Sequence, residues 1–387
     1  MMNKFNGIFL AAAMGLLLCG CGANSSQGLF KRGLAAFEKG DYSAAGESLS
    51  AASKEISDSS VLFYTLGLAH LHLGDMDKAL AAFNKTLEID TAHYEAIICL
   101  GQIAYHKNEL VTAQECFKAA LKLVDDAHKK AVLYTSMALV ESGLKNDGLA
   151  RLYLIQAMRC ERGYAPALYN LGCLYRDKFG YKEEALECFK KYAQTAGKDD
   201  PHYVKAQKNM ERLVQNIERQ ESGRRSGAKR DTVAASEHLG KGAVFQSQKR
   251  YREAIAAYDA ALKADPLAFS AAYGKAMAYQ KLNSPREAFP AFQEALAINP
   301  DHQDSYVRAI RLAMELKRYS DATTLLDRAI ARNAFYSSYY DLMTRVLYEQ
   351  SRYAEAKKYG EFYLTLLDPG DKDRAAYAQW VKALSES

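Results

Sequence analysis

The chain lacks the usual signatures of catalysis. Its 387 residues contain no GxSxG nucleophile elbow, no HExxH helix and no Walker glycine loop. "GKG" (240–242) lies inside a helical stretch and follows no strand, so it makes no phosphate loop. Charge of one sign is also missing. The formal net charge is +5, and loss of Lys4 with a leader lowers it by one. So mild a balance, without a DNA- or RNA-binding motif, excludes nucleic acid as a partner. There is no CxxC and no zinc-ligand spacing among Cys99, Cys116, Cys160, Cys173 and Cys188. Their number is odd, which leaves at least one thiol free. Paired helices would bring Cys99 toward Cys116 and Cys173 toward Cys188, but small buried cores are the favoured reading of these cysteines. His70, His72 and His106 do not form a metal site. His72 and His106 fall on neighbouring helices ~10 Å apart, too far for shared ~2 Å ligation. No cofactor, no metal and no enzymatic activity are expected.

A second membrane-length apolar run is absent too. The single long run, "GIFLAAAMGLLL" (7–18), follows Lys4 and is shorter than the ~20 residues that span a bilayer. It ends at Leu18-Cys19-Gly20-Cys21. This resembles the bacterial lipobox, with small residues before an invariant cysteine. The resemblance implies a signal peptide at 1–20, cleavage before Cys21, and acylation of the Cys21 thiol and new amino group. Several acyl chains give stable anchoring. Cys19 would place bulky Leu18 before the cut, so Cys21 is favoured; an ordinary signal peptide is the alternative. Gly22 carries no acidic inner-membrane retention signal, which points to the outer membrane, facing the periplasm.

What the chain does have is repetition. "LGLAHLHLGDMDKALAAFNKTLEID" (66–90) is followed 34 residues later by "LGQIAYHKNELVTAQECFKAALKLV" (100–124). In the first, Gly67 lies on one helix, Gly74-Asp75 breaks it, and Ala79, Phe83 and Thr86 form an i, i+4, i+7 stripe on a second. Small residues on both helices allow close approach while Phe83 fills the space beyond. One such hairpin cannot bury its apolar face alone, so copies must stack. The period and the small–large pattern resemble the tetratricopeptide repeat. The resemblance implies an all-α fold, a right-handed superhelix of about nine helix–turn–helix repeats in two blocks with a capping helix.

Five repeats occupy 21–202, with the fourth marked by Gly143, Ala150, Leu154 and Ala157 and carrying two extra residues in its turn. A polar helix and the basic linker "SGRRSGAKRD" occupy 203–231, where Arg224, Arg225, Lys229 and Arg230 face solvent or an acidic surface. Four repeats fill 232–368, and a cap carrying the only tryptophan, Trp380, fills 369–387. Ile310 and Thr344 stand where glycine is usual, and Gly360 replaces the bulky residue, so packing there should be looser or differently set. Pro285 suits a first helical turn after a Ser284 cap. Pro290 should kink its helix.

In the resembling family the first helix of each repeat lines the concave surface. The implied peptide groove is Phe30, Leu34 and Phe37, then Tyr64, Leu68 and Leu71, then Ile98, Gln102 and Tyr105, then Leu133 and Met137. Helix 61–73 is apolar on most sides and must be covered by something: a bound peptide, tight coiling, or the polar helix at 203–221. The equivalent positions after the linker, including Tyr273, Gln280, Arg311, Arg345 and Tyr348, are more polar. The expected function is a non-catalytic, lipid-anchored scaffold binding other envelope proteins or peptides. The alternative is a surface-displayed protein capturing polysaccharide or host protein, suggested by tyrosine-rich "FYSSYY" (335–340).

Overall fold

The computed structural model describes residues 25–225 and 230–384. The leader, the Cys21 anchor and the Lys229 end of the linker lie outside these residues. All regular structure among the described residues is helical. The helices fall into two compact units, one ending at Leu144 and the other beginning at Lys145. The boundary separates the two helices of the fourth repeat.

The first unit contains α1 (Ser26–Glu38), α2 (Tyr42–Ala52), α3 (Ser60–His72), α4 (Met76–Ile89), α5 (Tyr94–His106), α6 (Leu110–Leu123) and α7 (Ala127–Gly143). Helices α1–α2, α3–α4 and α5–α6 are antiparallel hairpins, and each second helix packs on the next first helix. Their starts are chemically encoded. The Ser25 and Ser59 hydroxyls accept hydrogen bonds from the Gly28 and Leu62 amides, while the Asp41 and Asp75 carboxylates accept from Ala44 and Lys78. At each hairpin turn one residue takes a left-handed conformation: Gly40, Gly74 and Asn108, 34 residues apart, with φ from +62° to +80°. This closes the first helix, as the Asp75 amide donates back to the His70 carbonyl.

The second unit contains α8 (Asp147–Cys160), α9 (Ala165–Leu174) running into a π turn (Tyr175–Phe179), α10 (Lys182–Thr195) and the long α11 (Tyr203–Arg225). It continues with α12 (Thr232–Ser247), α13 (Tyr251–Ala264), α14 (Phe269–Lys281), α15 (Pro285–Ile298), α16 (Gln303–Glu315), α17 (Tyr319–Arg332), α18 (Ser337–Glu349), α19 (Tyr353–Leu366) and α20 (Arg374–Ala383). The extra turn residue of the fifth repeat is absorbed by the π turn, which ends at left-handed Gly180. In the later hairpins Lys249, Asn283, Lys317 and Ser351 hold the left-handed position, again 34 apart.

The close approach of paired helices is visible atom by atom. A Cβ added to Gly67 would lie 2.6 Å from the Phe83 ring, at Gly101 2.8 Å from Phe117, and at Gly172 2.9 Å from Phe189. Tyr258 is held between Gly242 and Gly274, where added Cβ atoms would stand 2.5 and 2.7 Å from its ring. Burial of each such ring contributes ~1.5–3 kcal/mol. Gly143 does not play this part: it ends α7 beside Leu110. In the ninth repeat the roles are exchanged, with Thr344 on the first helix facing Gly360 on the second, where an added Cβ would stand 3.3 Å from the Thr344 methyl. Packing there is differently set, and Thr344 is fully buried.

One core of the second unit joins distant parts of the sequence. Leu149, Leu152 and Ile155 of α8 are buried with Phe289, Leu325 and Tyr359 of α15, α17 and α19. The fully buried Arg151 donates to the Asp327 carboxylate at 2.6 Å and to its carbonyl at 3.0 Å, with the Phe179 ring 5.1 Å away. The Tyr359 hydroxyl donates to the Gly148 carbonyl at 2.9 Å. Helix α15 runs unbroken through exposed Pro290. Pro285 occupies its first turn, although the Ser284 side chain makes no capping bond.

Candidate functional site

The first unit presents a continuous face on its first helices. Phe30, Leu34 and Phe37 on α1, Tyr64 and Leu68 on α3, and Ile98, Gln102 and Tyr105 on α5 are all half-buried, each set one repeat beyond the last. Leu71, by contrast, is buried in the core with Phe83, Cys99 and Ile103. Leu133 and Met137 are also buried, at 0% and 2% exposure, and offer nothing to a ligand. The half-buried positions one period beyond Ile98, Gln102 and Tyr105 are Val132, Ser136 and Leu139. Helix α7 keeps the register from its start and takes up the extra residues at its C-terminal end, where the left-handed turn residue is delayed to Lys145, 37 after Asn108. Strict counting by 34 from Ile98 gives these residues; the apolar character of Leu133 and Met137 was the misleading signal.

Aromatic contacts hold this face in place. Phe37 packs edge-on against Tyr42 at 5.4 Å, and Tyr42 stacks on His72 at 3.9 Å with rings 2° from parallel. His72 is thus a packing residue. Among the described residues no group of three or more His, Cys, Asp or Glu side chains is placed to hold a metal. Tyr64 leans on His93 at 4.6 Å and on Phe83 at 5.8 Å. Burial, reinforced by Cys99 and Glu95, drives the Tyr64 hydroxyl far above its ordinary value, and burial pushes the Cys99 thiol up to about 12. Both stay protonated and unreactive. The Gln102 carbonyl oxygen is shut from solvent without a partner. The arrangement can bind apolar side chains and exchange amide hydrogen bonds; it contains no nucleophile–base pair.

In the second unit the corresponding polar side chains are engaged with one another. Tyr273 and Arg308 both donate to Asp304, and Arg308 also donates to Gln280 at 2.8 Å. Arg345 pairs with Asp341 at 2.8 Å and lies over the Trp380 ring at 5.7 Å. Arg230 keeps 46% of its side chain exposed while its guanidinium grips both Asp265 oxygens, at 2.7 and 2.8 Å. All five described cysteines are free, with Cys99 and Cys188 buried.

Family models described as tetratricopeptide repeats match residues 30–94, 165–198, 239–303 and 282–346. The fold is that of the tetratricopeptide repeat. Human "Protein O-mannosyl-transferase TMTC3" is 25% identical over 115 residues, 30% of this chain. A barley protein, "Probable UDP-N-acetylglucosamine--peptide N-acetylglucosaminyltransferase SPINDLY", is 28% identical over 123 residues. The matched stretch spans 13% of either relative. Among solved structures, MamA is 22% identical, with 44% of this chain and 91% of that one covered and a TM-score of 0.39. No helix of the described tetratricopeptide chain is long and apolar enough to cross a membrane.

Proposed function

We propose that this is a lipid-anchored tetratricopeptide scaffold of the bacterial cell envelope, held through Cys21 at the outer membrane and binding a partner protein or peptide along the inner face of its first unit. The observation that carries the reading is the row of half-buried apolar side chains repeated at a fixed interval on α1, α3, α5 and α7, joined in the sequence to a lipobox-like leader. A row of this kind at helical spacing suits an extended or helical segment with apolar anchors.

The test uses the full chain in intact cells. A photo-crosslinking residue at Ile98, followed by mass spectrometry, should yield a specific adduct that disappears in the Tyr64→Glu/Leu68→Glu variant while circular dichroism stays unchanged. Cys21→Ala should release the protein from the membrane fraction and abolish incorporation of labelled palmitate. An adduct unaffected by the two glutamates would refute the groove, and membrane retention without acylation would refute the anchor. Capture of polysaccharide by the tyrosine-rich stretch has little support, because Tyr339 and Tyr340 are core residues at 1% and 0% exposure.

A further inference from the structure

Helix α12 packs on α13 and α14, and its remaining side is uncovered. The later repeats show what this side ordinarily does. Val244 occupies the position taken 34, 68 and 102 residues on by Ala278, Leu312 and Val346. Those three are at most 5% exposed, because α14, α16 and α18 each lie on the second helix of the preceding hairpin. Val244 is 54% exposed, and Val233, three turns earlier on the same side, is 72% exposed. Glu237 lies between them and is exposed too, whereas its counterparts Ala271, Ser305 and Tyr339 are buried. The opening helix of the first unit differs: α1 places only Ala35 at the position of Val244.

This side of α12 is complementary to itself. Glu237 and Lys241, both exposed, stand four residues apart, ~6 Å along the helix. A second α12 running antiparallel, with a two-fold axis between those residues, sets each Glu237 against Lys241 of the other copy. The same register sets Val233 beside Phe245 and Val244 beside Ala234 of the other copy. Gly240 leaves room near the axis, since a Cβ added there would meet nothing within 4 Å. The far end of the stack offers no such match. Helix α20 turns Ala375, Ala378 and Gln379 outward, which gives a head-to-tail neighbour no large apolar group to bury.

We propose that two copies of this chain pair through α12, antiparallel about a two-fold axis, with Val233 and Val244 buried and Glu237 facing Lys241 twice. The proposal depends neither on the lipid anchor nor on the inner face of the first unit. A helix of 16 residues is ~24 Å long, and one face of it falls below the ~800 Å² per partner of a standard interface. The dimer is therefore weak and reversible.

The test uses full-length protein carrying Cys21→Ala, which keeps acyl chains out of the assay, followed by sedimentation equilibrium from about 1 to about 300 µM. A monomer–dimer equilibrium is expected within that range. Val244→Lys, an exposed change, should weaken it about tenfold or more. Glu237→Lys alone and Lys241→Glu alone should do the same, because each sets like charges opposite one another. Mixed in equal amounts, the Glu237→Lys and Lys241→Glu chains should form a heterodimer tighter than either variant with itself, since every opposing pair then has unlike sign. Circular dichroism should match the wild type throughout. A monomer at the highest concentration, association unchanged by Val244→Lys, or a heterodimer no tighter than the two homodimers would overturn the proposal.

Discussion

The ion pair between Arg151 and Asp327 makes the two residues unequal, and the inequality is measurable. Arg151 is entirely buried, whereas the Asp327 side chain retains 20% exposure. Removing the carboxylate with Asp327→Ala strands a buried guanidinium. Breaking a buried pair in this way costs ~3–5 kcal/mol. The Asp327 carbonyl still accepts from Arg151 and the Phe179 ring still faces it, so the lower end, ~3 kcal/mol, is expected. Arg151→Met removes the charge that cannot reach water and leaves a carboxylate that can. Methionine also keeps much of the buried volume, so the expected cost is ~1 kcal/mol. The double variant Arg151→Met/Asp327→Leu should lie near the wild type, since well-packed apolar replacements of buried pairs are often neutral.

Trp380 is the only tryptophan and sits 5.2 Å from Tyr377 and 5.8 Å from Tyr348, so its fluorescence reports unfolding of the second unit. With a urea m-value of ~2.5 kcal/mol/M, Asp327→Ala should lower the midpoint by ~1.2 M and Arg151→Met by ~0.4 M. Equal shifts for the two single variants, or a larger one for Arg151→Met, would refute the assignment of the stranded charge.

Gly360→Leu should cost ~1–3 kcal/mol by overpacking, since even a Cβ there would lie 2.6 Å from Val381, and Val381→Ala should recover part of the lost Trp380 urea midpoint. Gly74→Val forces a branched side chain to φ +80° and should cost ~1–2 kcal/mol, read as a lower melting temperature by circular dichroism, whereas Asn108→Gly should raise it. Cys99 and Cys188, with thiols pushed up to about 12 by burial, should react with a disulfide reagent at pH 8 only after denaturation. The unfolded thiol loses its proton near 9, so their contribution to stability is fully present below pH 9 and falls between 9 and 12, which urea midpoints across that range would show.

The repeat was legible because its signal is local and recurs. Gly67 with Phe83, and Gly101 with Phe117, announce helices in contact from spacing alone, and the structure places each glycine against its ring. Arg151 was not legible. Within "LARLYLIQAM" (149–158) it reads as the solvated member of a helix, and its partner lies 176 residues away. The available clue was excess: Leu149, Leu152, Tyr153, Leu154 and Ile155 are more apolar surface than one hairpin partner can cover, and all are buried. The register of half-buried positions was legible on α1 and α5 and, apart from buried Leu71, on α3, where the period is strict. It failed on α7 because an insertion fixes total length without revealing where in the helix the extra residues are taken up.

The exchange of glycine between helices in the last repeat shows what the repeat motif specifies. Close approach requires that the two facing side chains together fit a narrow gap; it does not require glycine on a particular helix. Gly67 faces Phe83, Ile310 and Leu326 stand at the corresponding positions of the eighth repeat as two middle-sized groups fully buried in one core, and Thr344 faces Gly360. The last arrangement has a consequence for the end of the stack. With glycine on α19, the outer side of that helix has a hollow, and Val381 of α20 enters it while Trp380 covers Tyr348 beside it. A bulky residue at 360 would satisfy the hairpin equally well and exclude the cap. The inverted pair therefore suits the last hairpin to a single helix, α20, where α12–α13, α14–α15 and α16–α17 each pack on a following hairpin.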